Sequence, residues 1–194
     1  FDKLSDPRLN YFLANKHTSQ YEARNQALKN CNGEFIAFLD VDDWWNKSKL
    51  EKQLKLFEDK QVGFSCTNAW IINERKNKKR IAFKDIPNGK VLENLLQKNF
   101  VTMSTLMIRK NILELLDYNF NPRYEIIGDF DLVLRLAQIT ICKSLQEPLA
   151  YYRQHEQNLT HLKIETNIKE LVDLHIYLKK NDNITKSNNY LLFK

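Results

Sequence analysis

Three carboxylates stand close together in Phe38-Leu39-Asp40-Val41-Asp42-Asp43-Trp44-Trp45, directly after an apolar run that begins at Phe35. Like charges at this spacing repel and raise one another's pKa unless a cation comes between them. Hard oxygen donors at a strand end suit Mg²⁺ or Mn²⁺, which keep positions for water and substrate phosphates. In open α/β sheets ligands bind beyond the carboxyl ends of strands, which is where these acids would stand. A plainer role is equally open to them: an acidic turn ahead of the helix expected over 48–58. A second acidic pair, Asp129 and Asp131, opens another expected helix, but residues two apart on a helix do not share a face.

Other acidic signatures fit poorly. An EF-hand loop needs Gly at its sixth position, where Trp45 stands. The haloacid-dehalogenase pattern expects Thr or Val two residues after its second Asp, where Trp44 stands.

The elements that must position these residues alternate between helix and strand, which indicates a single α/β unit. A short strand is expected over 9–13. Ser19 and Glu22 form a capping-box pattern for a helix with Tyr21, Ala27, Leu28 and Cys31 on one face, ending in left-handed fashion at Asn32-Gly33. The continuous apolar run at 35–39 suits a strand buried on both faces. A helix with Leu50, Leu54 and Phe57 at helical spacing follows. Strands are expected over 62–70, 81–83, 104–108 and 148–155, and helices over 91–97 and 129–139. Ile164, Ile168, Leu171, Val172 and His175 mark an amphipathic C-terminal helix. From Lys179 onward the chain is rich in Asn and Lys and is expected to be poorly ordered.

Composition removes whole classes. The 194 residues include 4 Gly and 4 Pro. Gly33, Gly63, Gly89 and Gly128 lie far apart, so there is no Gly-rich dinucleotide turn and no Walker-type loop. The net charge of +6 favours anionic partners without selecting one. The 3 cysteines show no metal-ligand spacing and fit buried thiols in a reducing compartment. No apolar run reaches the roughly 18 residues of a transmembrane helix. The basic run Arg75-Lys76-Asn77-Lys78-Lys79-Arg80 reads as a solvated hairpin tip, with a lipid-phosphate or membrane docking patch as its secondary reading. The basic residues are dispersed and the aromatics fall at core spacings, so no nucleic-acid partner is expected.

Four stretches, in one order, resemble the family 2 inverting glycosyltransferases of the GT-A fold. Asp6-Pro7-Arg8 with Ala23-Arg24-Asn25-Gln26-Ala27-Leu28 is similar to the family's dPR…ARNxgi segment. The stretch from Asn32-Gly33-Glu34 through Asp43, with Trp45, Lys49, Leu50 and Gln53, resembles GEyiaFLDxDDxWxpxKLexQ. Ser104-Thr105-Leu106-Met107-Ile108-Arg109 is similar to the sslmirr strand. Ile127-Gly128-Asp129-Phe130-Asp131-Leu132, with Arg135 and the stretch from Pro148 to His155, resembles the EDydlwlRl…playYRxH ending.

The resemblance implies a Rossmann-like GT-A mixed sheet flanked by helices, lacking its first strand–helix units. It places the glycosyltransferase domain at 1–156 and a C-terminal amphipathic helix with a polar tail at 157–194. Asp129 matches the general base, with Gly128 where the family has Glu. Asp40 and Asp42 match the DxD carboxylates, Asp40 near the ribose and Asp42 toward a divalent Mn or Mg ion. Asp43 assists beside them, His155 matches the C-terminal His that holds metal or phosphate, and Arg24 is a donor-phosphate contact. Trp45 and Asp131 are candidate sugar or acceptor contacts.

The implied reaction moves a sugar from a nucleoside diphosphate donor to a hydroxyl of a glycan or lipid-linked glycan, in building bacterial surface glycans such as lipopolysaccharide or capsule. The implied place is the cytoplasm, with peripheral contact at the inner face of the plasma membrane left open. Gly128 and the lack of a base-reading segment motivate an alternative, a non-catalytic nucleotide-sugar-binding module or inactive fragment. A chain without the first strands is expected to expose apolar edges and to be unstable or inactive alone.

Overall fold

The computed structural model describes residues 6–14 and 16–180. No strand forms over 9–13, contrary to expectation, and Leu9, Tyr11, Phe12 and Leu13 are exposed there. Helix α1 (Gln20–Lys29) opens as expected, with Ser19 Oγ accepting from the Glu22 N–H at 3.2 Å. It stops at Asn30 in an ordinary right-handed conformation, before the Asn32-Gly33 pair where a left-handed end was expected.

One mixed sheet holds β1 (Phe35–Ala37), β2 (Trp44–Trp45), β3 (Val62–Asn73), β4 (Lys78–Ile81), β5 (Met107–Arg109) and β6 (Ile141–Gln154). The strand order is β1-β5-β3-β6-β2, with β4 paired to the far end of β3. Among the described residues only β3 and β6 run parallel; the other pairings are antiparallel. The last strand therefore begins at Ile141, ahead of the expected Pro148, because β3 offers a partner along its whole length. Pro148 cannot donate to a ladder, and it falls opposite Asn68, where the register slips.

Alternation of side chains gives the sheet two different faces. Phe64, Cys66, Ile108 and Cys142 join the main core with Leu132 and Leu136 of α5 (Gly128–Ile139), Leu95 and Leu96 of α3 (Leu92–Gln97), and Leu174 and Leu178 of α7 (Ile164–Lys179). Each such fully buried side chain contributes about 1.5–3 kcal/mol. The other face carries α2 (Lys49–Leu56), and Phe57 at its end packs with Val62, Met107 and Phe35.

Two helices turn differently from their apolar spacing. In α2, Leu50 and Leu54 are 41% and 43% exposed, while Lys49 and Gln53 are fully buried. Lys49 Nζ donates to Gln53 Oε1 at 2.6 Å, and Gln53 Nε2 donates to Ser65 Oγ and the Thr105 carbonyl. These bonds satisfy the polar face against the sheet and leave the leucines outside. In α7, Ile164, Ile168 and Val172 are exposed, and Leu174 and Leu178 reach the core instead. The segment 104–108 splits into a short turn at Met103–Thr105 and strand β5. The one-turn helix α4 (Lys110–Leu113) follows β5, and a second one-turn helix, α6 (Leu159–Leu162), precedes α7. The polar tail from 181 lies outside the described residues.

Candidate active site

The acidic loop leaves β1 and is tied down at both ends. The Asp40 N–H donates to Ser104 Oγ at 3.1 Å, and Trp45 Nε1–H donates to the Ser104 carbonyl at 2.7 Å. Asp43 N–H closes the turn onto the Asp40 carbonyl at 3.1 Å. Asp43 itself points inward, where its Oδ1 accepts the Arg153 N–H at 3.0 Å and so fastens the loop to β6. Burial pushes its carboxyl up to about 6, and the charges of Asp40 and Asp42 add to the effect.

Asp40 and Asp42 face outward and each has a basic partner. Arg24 on α1 pairs with Asp40 Oδ1 while its guanidinium lies over the rings of Tyr21 and Phe120, at 5.5 and 5.7 Å. His155 Nε2 stands 2.9 Å from Asp42 Oδ2. The Gln157 N–H donates to His155 Nδ1 at 3.2 Å, an arrangement that assigns the ring proton of neutral His155 to Nε2, toward Asp42. The His155 N–H donates to Asn158 Oδ1 at 2.6 Å, holding the chain at this corner.

Asp129 enters from the first turn of α5. Its Oδ1 accepts the Phe130 N–H at 2.8 Å and lies 3.4 Å from the Tyr21 hydroxyl, which donates to the Ile126 carbonyl at 2.7 Å. Burial raises the Asp129 carboxyl above the ordinary range; Asp40 adds to that rise, and the Phe130 amide and Arg24 oppose it. Tyr152 is pushed up to about 12, by burial first and then by the charges of Asp43, Asp42, Asp40 and Asp129.

A cavity of about 550 Å³ collects these groups. Arg24, Asp40, Asp42 and Asp129 line it together with Tyr21 and Tyr152, against an apolar wall that includes Ile71, Phe83 and Met103. His155 reaches the cavity through Asp42. Asp43, Trp45 and Asp131 lie off its wall. Asp131 is buried and pairs with Arg135 at 2.8 Å, while the Trp45 ring receives Lys49 Nζ at 4.3 Å. Tyr21, Ser104 and Tyr152 are site residues that spacing alone did not single out. Their signal was present only as aromatics at core positions and a Ser before a strand.

Among the described residues no group of three or more His, Cys, Asp or Glu is arranged to hold a metal ion. Asp42 and His155 still fit Mg²⁺ or Mn²⁺, because such ions take one or two protein groups and fill the remainder with water and phosphate oxygens. As a ligand, His155 Nε2 must give up the proton it directs at Asp42, so Nδ1 must release the Gln157 amide.

The comparisons agree with this architecture. The family model described as Glycosyl transferase family 2 matches residues 1–117, and the chain belongs to that family. It is 30% identical over 108 residues to the putative teichuronic acid biosynthesis glycosyltransferase TuaG of Bacillus subtilis, covering 56% of this chain and 42% of TuaG. It is 32% identical over 119 residues to the UDP-Glc:alpha-D-GlcNAc-diphosphoundecaprenol beta-1,3-glucosyltransferase WfgD of Escherichia coli, covering 61% of this chain and 46% of WfgD. An uncharacterized glycosyltransferase of Rickettsia conorii is 36% identical over 102 residues, covering 53% of this chain and 17% of that protein. The chain thus spans less than half the length of these relatives. Residues 1–349 of TarS from S. aureus superpose with a TM-score of 0.62 at 15% identity, covering 90% of this chain and 50% of that one, which shows the shared GT-A fold. TarS has also been crystallised with UDP and with UDP-GlcNAc.

Proposed function

We propose that this chain carries the catalytic site of a metal-dependent inverting glycosyltransferase that builds a bacterial surface glycan. The observation behind this reading is that Asp129 shares one cavity with Arg24, Asp40 and Asp42. The ligands named for TarS and the lipid-linked acceptor named for WfgD support a nucleoside diphosphate sugar as donor and a glycan hydroxyl as acceptor.

Arg24 places a cation beside the donor's phosphates, and Asp40 takes the ribose hydroxyls. Asp42 and His155 would hold a divalent ion, which would supply neutralisation of the charge on the departing diphosphate. Asp129 accepts the acceptor's hydroxyl proton as that oxygen bonds to the anomeric carbon. The bond to the diphosphate breaks on the opposite side, so the configuration inverts. The buried Asp129 carboxyl is held above the ordinary range, closer to the pH at which a general base works best.

The test is release of nucleoside diphosphate in the presence of Mn²⁺ or Mg²⁺, abolished by Asp129→Asn. Unchanged turnover in that variant removes Asp129 from the role of base. Gly128, standing where the family has Glu, favours a second reading as a binding module. Tight binding of a nucleotide sugar with no release of diphosphate would select it.

A further inference from the structure

The β3–β4 hairpin serves two surfaces. Ile71, Ala82 and Phe83 line the cavity. The alternate positions Trp70 and Ile81 point to the opposite side of the sheet. There the register sets Trp44 of β2 beside Tyr151 of β6, Tyr151 beside Trp70 of β3, and Trp70 beside Ile81 of β4. One row of large apolar side chains therefore crosses four strands. Trp44 and Ile81 are 39% and 47% exposed, and Trp70 and Tyr151 are half-buried.

The next row on this face is Arg153, Ile72 and Lys79. Its cations lie against the rings. Lys79 Nζ is 4.0 Å from the Trp70 centroid and 5.1 Å from that of Tyr151, and the Arg153 guanidinium is 5.5 Å from Trp44. Trp44 and Tyr151 stack at 5.1 Å with 7° between their planes. Beyond them, the exposed segment 74–80 carries five basic residues against Glu74, a net charge of +4. Glu74 and Glu156 pair with Arg153 and Arg75 at 3.4 and 3.7 Å. Arg75 and Lys76 are exposed at the tip and Lys79 on this face of β4, while Lys78 and Arg80 alternate to the cavity side.

We propose that this face docks on an anionic phospholipid surface. Trp and Tyr settle at the headgroup level of a bilayer, and clustered Lys and Arg neutralise its phosphates. A sugar would need an open ring face to stack on. Here Trp44, Tyr151 and Trp70 each already meet a ring or a cation, so the row presents aromatics packed beside cationic heads. The contact is peripheral, since no helix among the described residues is long and apolar enough to cross a membrane. Ile81 is followed directly by Ala82 and Phe83 of the cavity wall, so the docking face and the cavity lie on opposite sides of one hairpin. The inference stands apart from the transferase reading and is tested without turnover.

The experiment is co-sedimentation of the chain with phosphatidylcholine vesicles containing phosphatidylglycerol, beside vesicles of phosphatidylcholine alone. The chain should partition to the anionic vesicles only, less so as salt rises. Bromine on the acyl chains should quench its tryptophan emission. Each basic residue near such a surface is worth about fivefold in partitioning, so the triple variant Arg75→Gln, Lys76→Gln, Lys79→Gln should lose roughly 100-fold. Ile81→Ser should lose several-fold at every salt concentration. Both variants alter exposed side chains and should melt with the parent chain. Failure to bind, equal binding to neutral vesicles, or undiminished binding by the triple variant overturns the proposal. So does retention on soluble polygalacturonate without vesicle binding, which would assign the face to an anionic glycan.

Discussion

The ring of Tyr21 occupies the space that a side chain at Gly128 would need. A Cβ on Gly128 would come within 2.7 Å of Tyr21 Cε2 and 2.9 Å of its Cζ. Tyr21 is 1% exposed and stacks on Phe120 at 5.5 Å, so its ring has little room to withdraw. The space beside Gly128 is thus filled by an aromatic ring whose hydroxyl sits 3.4 Å from Asp129 itself.

Gly128→Ala should therefore destabilise the chain. Overpacking a filled site costs about 1–3 kcal/mol. That outweighs the roughly 1 kcal/mol that Ala gains over Gly within a helix. Removing the ring as well should relieve the clash, so Gly128→Ala combined with Tyr21→Ala should cost less than the sum of the single changes. Chemical denaturation of the four proteins in the cycle measures this coupling, and strict additivity would show that the two positions do not compete.

Asp129→Asn should abolish turnover and raise stability together. Burial lifts the Asp129 carboxyl in the folded state, so between its ordinary and its raised pKa the folded chain binds more protons than the unfolded one. Its contribution is fully present below the ordinary pKa and is lost as pH rises through the raised one. At neutral pH the charge is therefore a burden that Asn does not carry. Turnover has the opposite sign: a base must be ionised, so the parent's rate should climb with pH through the same raised pKa. Loss of diphosphate release with a higher melting temperature at neutral pH is the expected pair. A lower melting temperature would mean that the carboxylate's bonds outweigh its burial.

The order of elements around the acidic loop was legible because apolar runs and acids are local features. The facing of α2 was not. Leu50 and Leu54 repeat at helical spacing, yet Lys49 and Gln53 turn inward because Gln53 finds Ser65 and Thr105, 12 and 52 residues away. No local period reports such partners. Tyr21 is a similar case: its spacing marks a core aromatic, and only the fold brings Ile126 and Asp129 to its hydroxyl. Asp40, Asp42 and His155 carried a chemical signal in their residue types, whereas their mutual distances depend on β6 lying next to β2.

The Asp42–His155 pair predicts how metal and nucleotide binding depend on each other. Asp42→Asn removes the anionic oxygen that a hard cation prefers, and His155→Gln removes a neutral donor. Calorimetry with a nucleoside diphosphate and Mn²⁺ should show Asp42→Asn weakening binding at least about tenfold, with a smaller loss for His155→Gln. Without metal, both variants should bind the nucleotide much as the parent does. Equal losses with and without Mn²⁺ would place Asp42 on the nucleotide directly.

Lys49 predicts the alkaline branch of stability. Its ammonium is fully buried, and burial lowers its pKa from 10.5 to about 7. Between those values the unfolded chain holds a proton that the folded chain lacks, so stability rises with pH across that window. One such group contributes at most about 1.4 kcal/mol per pH unit. Lys49→Met retains the packing volume but strands Gln53 Oε1, which Lys49 now satisfies at 2.6 Å. Its stability at pH 7 is therefore set by two opposed effects, while the rise toward alkaline pH should disappear. Urea denaturation of parent and variant from neutral to alkaline pH checks this. If both show the same alkaline rise, Lys49 is charged in the folded chain and its burial is compensated by the Trp45 ring 4.3 Å away.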